Sequence, residues 1–263
     1  MGLVSRLLGE LLRGPLAPYR GRRVVGVAVG ARFTAAMLDT GHVGVAYTPP
    51  EYMDPLEDTY SSRPSLNALA RAADEGLLHR AVALAAASAA TNAWIEAGGR
   101  VRPCNSIVEE LGVSRGEVVL VAGFMRRVAE EAAGRGAVVV VAERSPGLAS
   151  AAKQLGFRVV SDADAPEEAE RADHVIVTGS SLLYPGLLKA ILEASRGART
   201  RALIGPTANL HPAAARVLGL THIGGSFIPR EASRRVWDRV LHGHGYHGFS
   251  GYVVKWVAGR EAP

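Results

Sequence analysis

From Val118 onward the chain repeats one unit, a short continuous apolar run followed by a stretch with helical periodicity. The apolar runs are Val118–Ala122, Ala137–Ala142, Arg158–Val160, His174–Val177, Arg201–Ile204 and Thr221–Ile223. Strands that are apolar at nearly every position, rather than at alternate ones, are buried on both faces, and the helices between them supply the cover. This restricts the second part of the chain to a doubly wound parallel sheet, a Rossmann-like α/β domain. Helices are expected over Met125–Gly134 and Gly147–Leu155, and from Pro185, Pro212 and Pro229. Proline suits the first helical turn because its missing amide has no intrahelical partner there.

The preceding segment has a different rhythm. Arg23–Gly30, Ala35–Leu38 and Val43–Tyr47 read as antiparallel strands, with Asp39–His42 as turn chemistry between the last two. A polar loop carrying Pro49, Pro50, Pro55 and Pro64 follows. Ser65 then caps a short helix over 66–73, and an Ala-rich helix runs from Leu77 to Glu96 until Gly98-Gly99 ends it. Strands followed by helices form an α+β unit. The boundary falls between Pro103 and Val113, giving a small α+β domain over 1–104 and the Rossmann-like domain over 105–263.

Composition narrows the class further. The 263 residues, 48% apolar and 21% charged, support a full core and exclude long disorder. A single cysteine, Cys104, excludes an internal disulfide or a self-contained thiolate cluster and fits a reducing, cytoplasmic setting. The net charge of +5 is spread without a dense basic run, so no nucleic-acid partner is read from it. Leucines at helical spacing over Gly2–Arg13 predict an amphipathic helix docked on its own domain, not a signal peptide. The apolar stretch Ala81–Trp94 is shorter than the ~20 residues of a bilayer span, and Ser88, Thr91 and Asn92 interrupt it. It reads as a buried helix, with no membrane partner.

Ligands of an open parallel sheet bind beyond the carboxyl ends of its strands, where loops and helix N-termini offer free amides. At the first such end stand Gly123 and Phe124, with one glycine where a dinucleotide fingerprint has three. Glu143 ends the next strand, the place of a ribose-binding acid. Three further ends form a set of glycines and hydroxyls: Thr178-Gly179-Ser180-Ser181, Gly205-Pro206-Thr207-Ala208-Asn209 and Gly224-Gly225-Ser226. Turn and cap chemistry explains any one of them; three in register on one edge point to an oxyanion-binding pocket. His211 stands at a helix start on the same edge and, with Glu143, is the candidate cation ligand. The tract His242-Gly243-His244-Gly245-Tyr246-His247 has metal-tract chemistry but no companion Cys or carboxylate at a recognised spacing, so it reads as turn residues. Cys104-Asn105-Ser106 lies at the domain junction, where packing explains the lone cysteine. No Ser-His-Asp grouping, H-E-x-x-H or Walker A loop occurs.

The runs Ala172–Leu182 and Ala202–Thr207, with Gly224-Gly225-Ser226 and Val118–Arg127, resemble the prokaryotic protein family named for heavy-metal chelation. The first half is similar to that family's companion domain, whose fold resembles the N-terminal domain of enolase. The resemblance implies an enolase-like unit followed by a Rossmann-like one, with a cleft between them that handles a metal or a metal-bearing small molecule. Carried over by position, Asn105, Gly123, Phe124, Thr178, Gly179, Ser180, Gly205, Pro206 and Thr207 line that cleft; the histidine tract lies outside the family pattern. The leading expectation is therefore binding of a small anionic or metal-chelating ligand, with a divalent metal ion as the cofactor candidate. The alternative is an enzyme using S-adenosylmethionine or NAD at Gly123 and Glu143. A reading from another class is a partner subunit, such as a homo-oligomer, docking through the Leu-rich N-terminal helix.

Overall fold

The structure, a computed structural model, describes residues 2–51 and 62–260. Pro55 of the expected polar loop lies outside them. Two sheets form among the described residues. The smaller one is antiparallel, in the order β1 (Val24–Val29), β2 (Phe33–Leu38), β3 (Val43–Tyr47). Residues 39–42 join β2 to β3, so that Met37 pairs with Val43.

Two helices follow. Ser65 starts α2 (Leu66–Ala72) by accepting the Ala68 amide on its hydroxyl. The second, α3 (Leu77–Glu96), is buried on every side, as a helix without a polar face must be. Its alanines let it lie almost in contact with β3: a Cβ on Gly44 would strike the α3 backbone at Ala85 and Ala89. Among the described residues no helix is long and apolar enough to cross a membrane. The N-terminal helix α1 (Leu3–Arg13) buries Val4, Leu7, Leu8, Leu11 and Leu12 in the main core and packs on α2, as its spacing predicts.

The larger sheet has eight strands. Its parallel part consists of β5 (Val118–Ala122), β6 (Val138–Ala142), β7 (Arg158–Val160), β8 (His174–Thr178), β9 (Thr200–Ile204) and β10 (His222–Phe227). They lie side by side as β7-β6-β5-β8-β9-β10. Numbered from the first parallel strand, this is the doubly wound order 3-2-1-4-5-6, and its direction of winding reverses between β5 and β8. Helices α5 (Arg126–Gly134), α6 (Pro146–Gln154), α7 (Ala165–Arg171), α8 (Pro185–Ala194) and α9 (Ala214–Leu218) cross over between the strands. An antiparallel β11 (Val254–Gly259) and the short β4 (Arg102–Pro103) extend the sheet beyond β10. A short helix, α4 (Ile107–Glu110), leads from β4 toward β5.

Two features depart from the sequence expectation. Gly224-Gly225-Ser226 is not a turn beyond a strand but the middle of β10, because β11 pairs with β10 from His222 to Phe227, past the point where β9 ends. The final helix, α10 (Arg230–Leu241), does not cover the parallel sheet. It crosses to the small one, where Ala232, Val236 and Val240 pack with Phe33, Ala35, Val43 and Val45. Trp237 lies against Gly26 in β1, where a Cβ would crowd its indole.

The two halves are fused by a buried polar network as well as by a shared core. Asn209, fully buried, donates from Nδ2 to Ser88 Oγ (2.9 Å) and Asn92 Oδ1 (2.8 Å), and accepts the Trp256 indole N–H (2.7 Å). Asn92 in turn donates to the Val43 carbonyl and accepts the Ile228 amide. Every polar atom of the two carboxamides except one Nδ2 hydrogen of Asn92 is thereby matched. Gly225 has no side chain for a local reason: a Cβ there would strike Asn209 and the Trp256 indole. It therefore belongs to this network and is buried, which corrects its placement among ligand contacts.

Candidate functional site

The crevice of a doubly wound sheet opens where the winding reverses, here at the carboxyl ends of β5 and β8. Gly123 follows β5 with φ +86°, a left-handed conformation that suits glycine, and a Cβ there would run into the Thr178 methyl at the end of β8. Gly179 fits as closely against Ala208, which interlocks the loops after β8 and β9. Gly205, at φ +113°, donates its amide to the Gly224 carbonyl and turns the chain away from β9. The structure thus brings Gly123, Thr178, Gly179, Gly205 and the 206–208 turn together on one edge of the sheet. Ser180 reaches the Thr178 hydroxyl (3.3 Å), and Ser181 is half-buried in the same 3-10 turn. Asn105 is exposed, follows the edge strand β4, and among the described residues makes no side-chain hydrogen bond to these loops.

Several expected ligand groups are already engaged. Thr207 is 2% exposed, and its hydroxyl accepts the Tyr47 amide at 2.9 Å, tying β3 to the loop after β9. Pro206 begins the 3-10 turn Pro206–Ala208. Glu143 accepts the Phe124 amide (2.7 Å) on one oxygen and the Ser145 amide (2.8 Å) on the other. The Gly123 amide goes to the Ala142 carbonyl. The Phe124 ring packs toward the lower core beside Phe157 rather than standing over the loops. His211 is 3% exposed, lies 4.2 Å from the Trp94 ring and accepts the Ala213 amide on Nδ1. Burial pushes its pKa down to about 4, so the ring is neutral with its proton on Nε2. Among the described residues no group of three or more His, Cys, Asp and Glu side chains converges to hold a metal ion.

Above the switch-point loops stands a polar junction that joins the two sheets. Tyr184, at the head of α8, donates its phenol to Glu51, just beyond β3, at 2.7 Å. Arg144, after β6, lays its guanidinium 3.9 Å over the Tyr184 ring and pairs with Glu51 (3.3 Å) and Asp162 (3.1 Å). Burial, then the bond to Glu51, raises the Tyr184 pKa, so the phenol stays protonated and remains a donor. Partial burial pulls the Glu51 carboxyl upward, but the hydrogen bond from Tyr184, a backbone amide and Arg144 outweigh it, and the net shift is downward. Burial also raises the neighbouring Tyr47 phenol, which lies within electrostatic reach of Arg32, Glu51, Glu143 and Arg144. Beside Tyr47 an open pocket of about 580 Å³ is lined by Arg32, Phe33, Tyr246 and the histidines 244 and 247.

A family model described as "Putative heavy-metal chelation" matches residues 106–258, more than half of the chain. The chain belongs to this family, DUF364. A second model of the same description, DUF4213, matches residues 15–91. Among solved structures, a DUF364 protein of unknown function from Pyrococcus horikoshii is 22% identical with a TM-score of 0.78, over 98% of this chain and 99% of that one. A DUF364 protein of unknown function from Desulfitobacterium hafniense is 18% identical with a TM-score of 0.75, over 97% and 98%. At these identities the likeness shows the fold. No curated protein matches.

The DUF364 crevice has functional candidates that sequence reasoning missed: Glu51, Arg144, Asp162 and Tyr184. Arg144 directly follows the acid at the end of β6, and Tyr184 precedes the helix-starting Pro185, so both stand beside positions that carry a local sequence signal. Glu51 had no such signal, because 93 residues separate it from Arg144.

Proposed function

We propose that the protein binds a small polycarboxylate chelator, free or carrying a divalent metal as cargo, at the switch-point crevice beneath Glu51, Arg144 and Tyr184. The observation that carries this reading is the junction itself: a guanidinium stacked on a tyrosine and held between two carboxylates, reaching across from one sheet to the other over the reversal point. A ligand carboxylate can exchange with Glu51 at the Arg144 fork, which matches carboxylate geometry in a bidentate way. The protonated Tyr184 phenol supplies a second donor. The amides at the start of α5 have no side-chain cap and add a positive dipole end. Glu143 and His211 already hold backbone amides, so the reading places the metal's main donors on the chelator. Oxygen and nitrogen donors of such a ligand suit a borderline divalent ion. The family description supports a metal-related ligand without naming one.

The alternative, a nucleotide cofactor at Gly123, draws on the 3-2-1-4-5-6 strand order and on the acid at the end of β6. It is the weaker reading, because the Gly123 and Phe124 amides that a pyrophosphate would use are given to Ala142 and Glu143.

The test is calorimetric titration of protein stripped of metal with citrate, nickel citrate and nickel chloride, on wild type and Arg144→Met. Arg144 is partly exposed, and ion pairs of that kind contribute about 0–1 kcal/mol, so the variant folds. Citrate or its nickel complex should bind the wild type and lose at least tenfold in affinity in the variant. Equal affinity in both would reject the crevice as the site.

A further inference from the structure

The amino-terminal edge of the parallel sheet, opposite the crevice, carries an unusual group of charges. Arg201, Thr221 and Arg260 lie side by side at the ends of β9, β10 and β11. The register that pairs Ala202 with His222 and His222 with Gly259 places the three on one face. Backbone bonds hold them there: Thr221 N–H donates to the Arg201 carbonyl and Arg260 N–H to the Thr221 carbonyl, while the Thr221 hydroxyl accepts the Arg201 amide. The same face receives the end of α8, where Arg196 stands in the 3-10 turn Ser195–Gly197. Burial, then the charges of Arg260 and Arg196, push the Arg201 pKa down.

Carboxylates do occur along this edge, but they face other partners. Glu117 pairs with Arg199 and His174, and Asp173 accepts the Val118 amide. Among the described residues Arg196, Arg201 and Arg260 have no ion pair, and the Nε of Arg201 is buried without a hydrogen-bond acceptor. A buried donor left unmatched is destabilising, and like charges nearby add to that cost. Such an arrangement is unfavourable when empty and complementary in charge to a multivalent oxyanion.

We infer that Arg196, Arg201 and Arg260 form a second ligand site, selective for phosphate-type oxyanions, on the sheet edge opposite the crevice. The phosphate oxygens would accept from Arg201 Nε and from the guanidinium forks of Arg196 and Arg260. The source is either free inorganic phosphate or the phosphoryl group of a small metabolite, and the shared chemistry is the tetrahedral dianion.

The experiment follows thermal unfolding of the protein in sodium phosphate and sodium pyrophosphate against sodium chloride of equal ionic strength, with calorimetric titration alongside. Wild type, Arg201→Met, Arg260→Met and Arg144→Met are compared. Phosphate or pyrophosphate at ten times its Kd should raise the wild-type Tm by about 3–5 °C beyond chloride. Arg201→Met and Arg260→Met should lose that rise, and Arg144→Met should keep it, which separates this site from the crevice. In chloride, Arg201→Met should melt no lower than wild type, since it removes an unmatched donor and a repelled charge; a merely structural arginine would melt lower on removal. A phosphate effect equal to chloride in the wild type, or one that survives in both arginine variants, overturns the inference.

Discussion

Asn209 offers the sharpest test of how the halves are joined, because its three hydrogen bonds are fully buried and each can be followed. In Asn209→Ala the Trp256 indole N–H loses its acceptor, which costs about 1–3 kcal/mol. The space left by the carboxamide, at roughly 24 cal/mol per Å³, adds about 1 kcal/mol. Asn92 still accepts the Ile228 amide, and the Ser88 hydroxyl can rotate, so their losses are smaller. The total is about 3 kcal/mol, to be read from urea unfolding followed by far-UV dichroism and tryptophan fluorescence at constant m-value. Asn209→Asp separates hydrogen bonding from volume. The new oxygen faces Asn92 Oδ1, and Asn92 cannot flip without giving up both Val43 and Ile228. The introduced side chain can donate to that oxygen only while its carboxyl is protonated, so its folded pKa lies above the unfolded value of about 3.9. Stability relative to wild type is then lost as pH rises from about 4, by up to about 1.4 kcal/mol per unit until the folded pKa is passed. A cost below about 1 kcal/mol for Asn209→Ala, or no added pH slope for Asn209→Asp, would refute the network as the joint between the halves.

Other substitutions probe single links. His211 has a folded pKa of about 4 against 6.5 unfolded, so only the unfolded chain takes up a proton as pH falls between those values. The wild type should lose roughly 3 kcal/mol over that window, and His211→Asn, which keeps an acceptor for Ala213, should flatten this part of the pH–stability curve. Thr207→Val leaves the part-buried Tyr47 amide without its acceptor and should cost about 1 kcal/mol, with loss of hydrogen-exchange protection at Tyr47 as the specific readout. Gly123→Ala should destabilise by about 1–3 kcal/mol through its positive φ and the Thr178 methyl. Adding Thr178→Ser should recover the steric part only, measured as a coupling energy in a double-mutant cycle.

The parallel half was legible because strands buried on both faces leave an unambiguous apolar signature, and prolines mark where several helices begin. The three antiparallel strands and the Ala-rich helix were legible for similar reasons, down to the Ser65 cap. The misplacement of Gly224-Gly225-Ser226 shows where local reading ends. Glycine and serine carry turn chemistry, yet here they lie in a strand because β11 pairs along them, and Trp256 and Asn209 occupy the space that side chains at Gly224 and Gly225 would fill. Likewise α10 has the amphipathic pattern of a covering helix, and nothing in its own residues says which of two sheets it covers. Around the candidate crevice, Glu143 and the loops after β5, β8 and β9 carry local sequence signals and Glu51 carries none. Pairing across long separations is decided by tertiary packing, so the junction of Glu51, Arg144 and Tyr184 emerges only once the sheets are in place.

The crossing of α10 to the small sheet also has a consequence for biosynthesis. While the ribosome is still translating the parallel strands, Phe33, Ala35, Val43 and Val45 have emerged but their covering partners Ala232, Val236 and Val240 do not yet exist. The small sheet therefore waits, one greasy face bare, for a helix that is made only after the whole parallel sheet. That interval is when a chaperone has most to bind, and when fragments expressed without the last helix are most prone to aggregate.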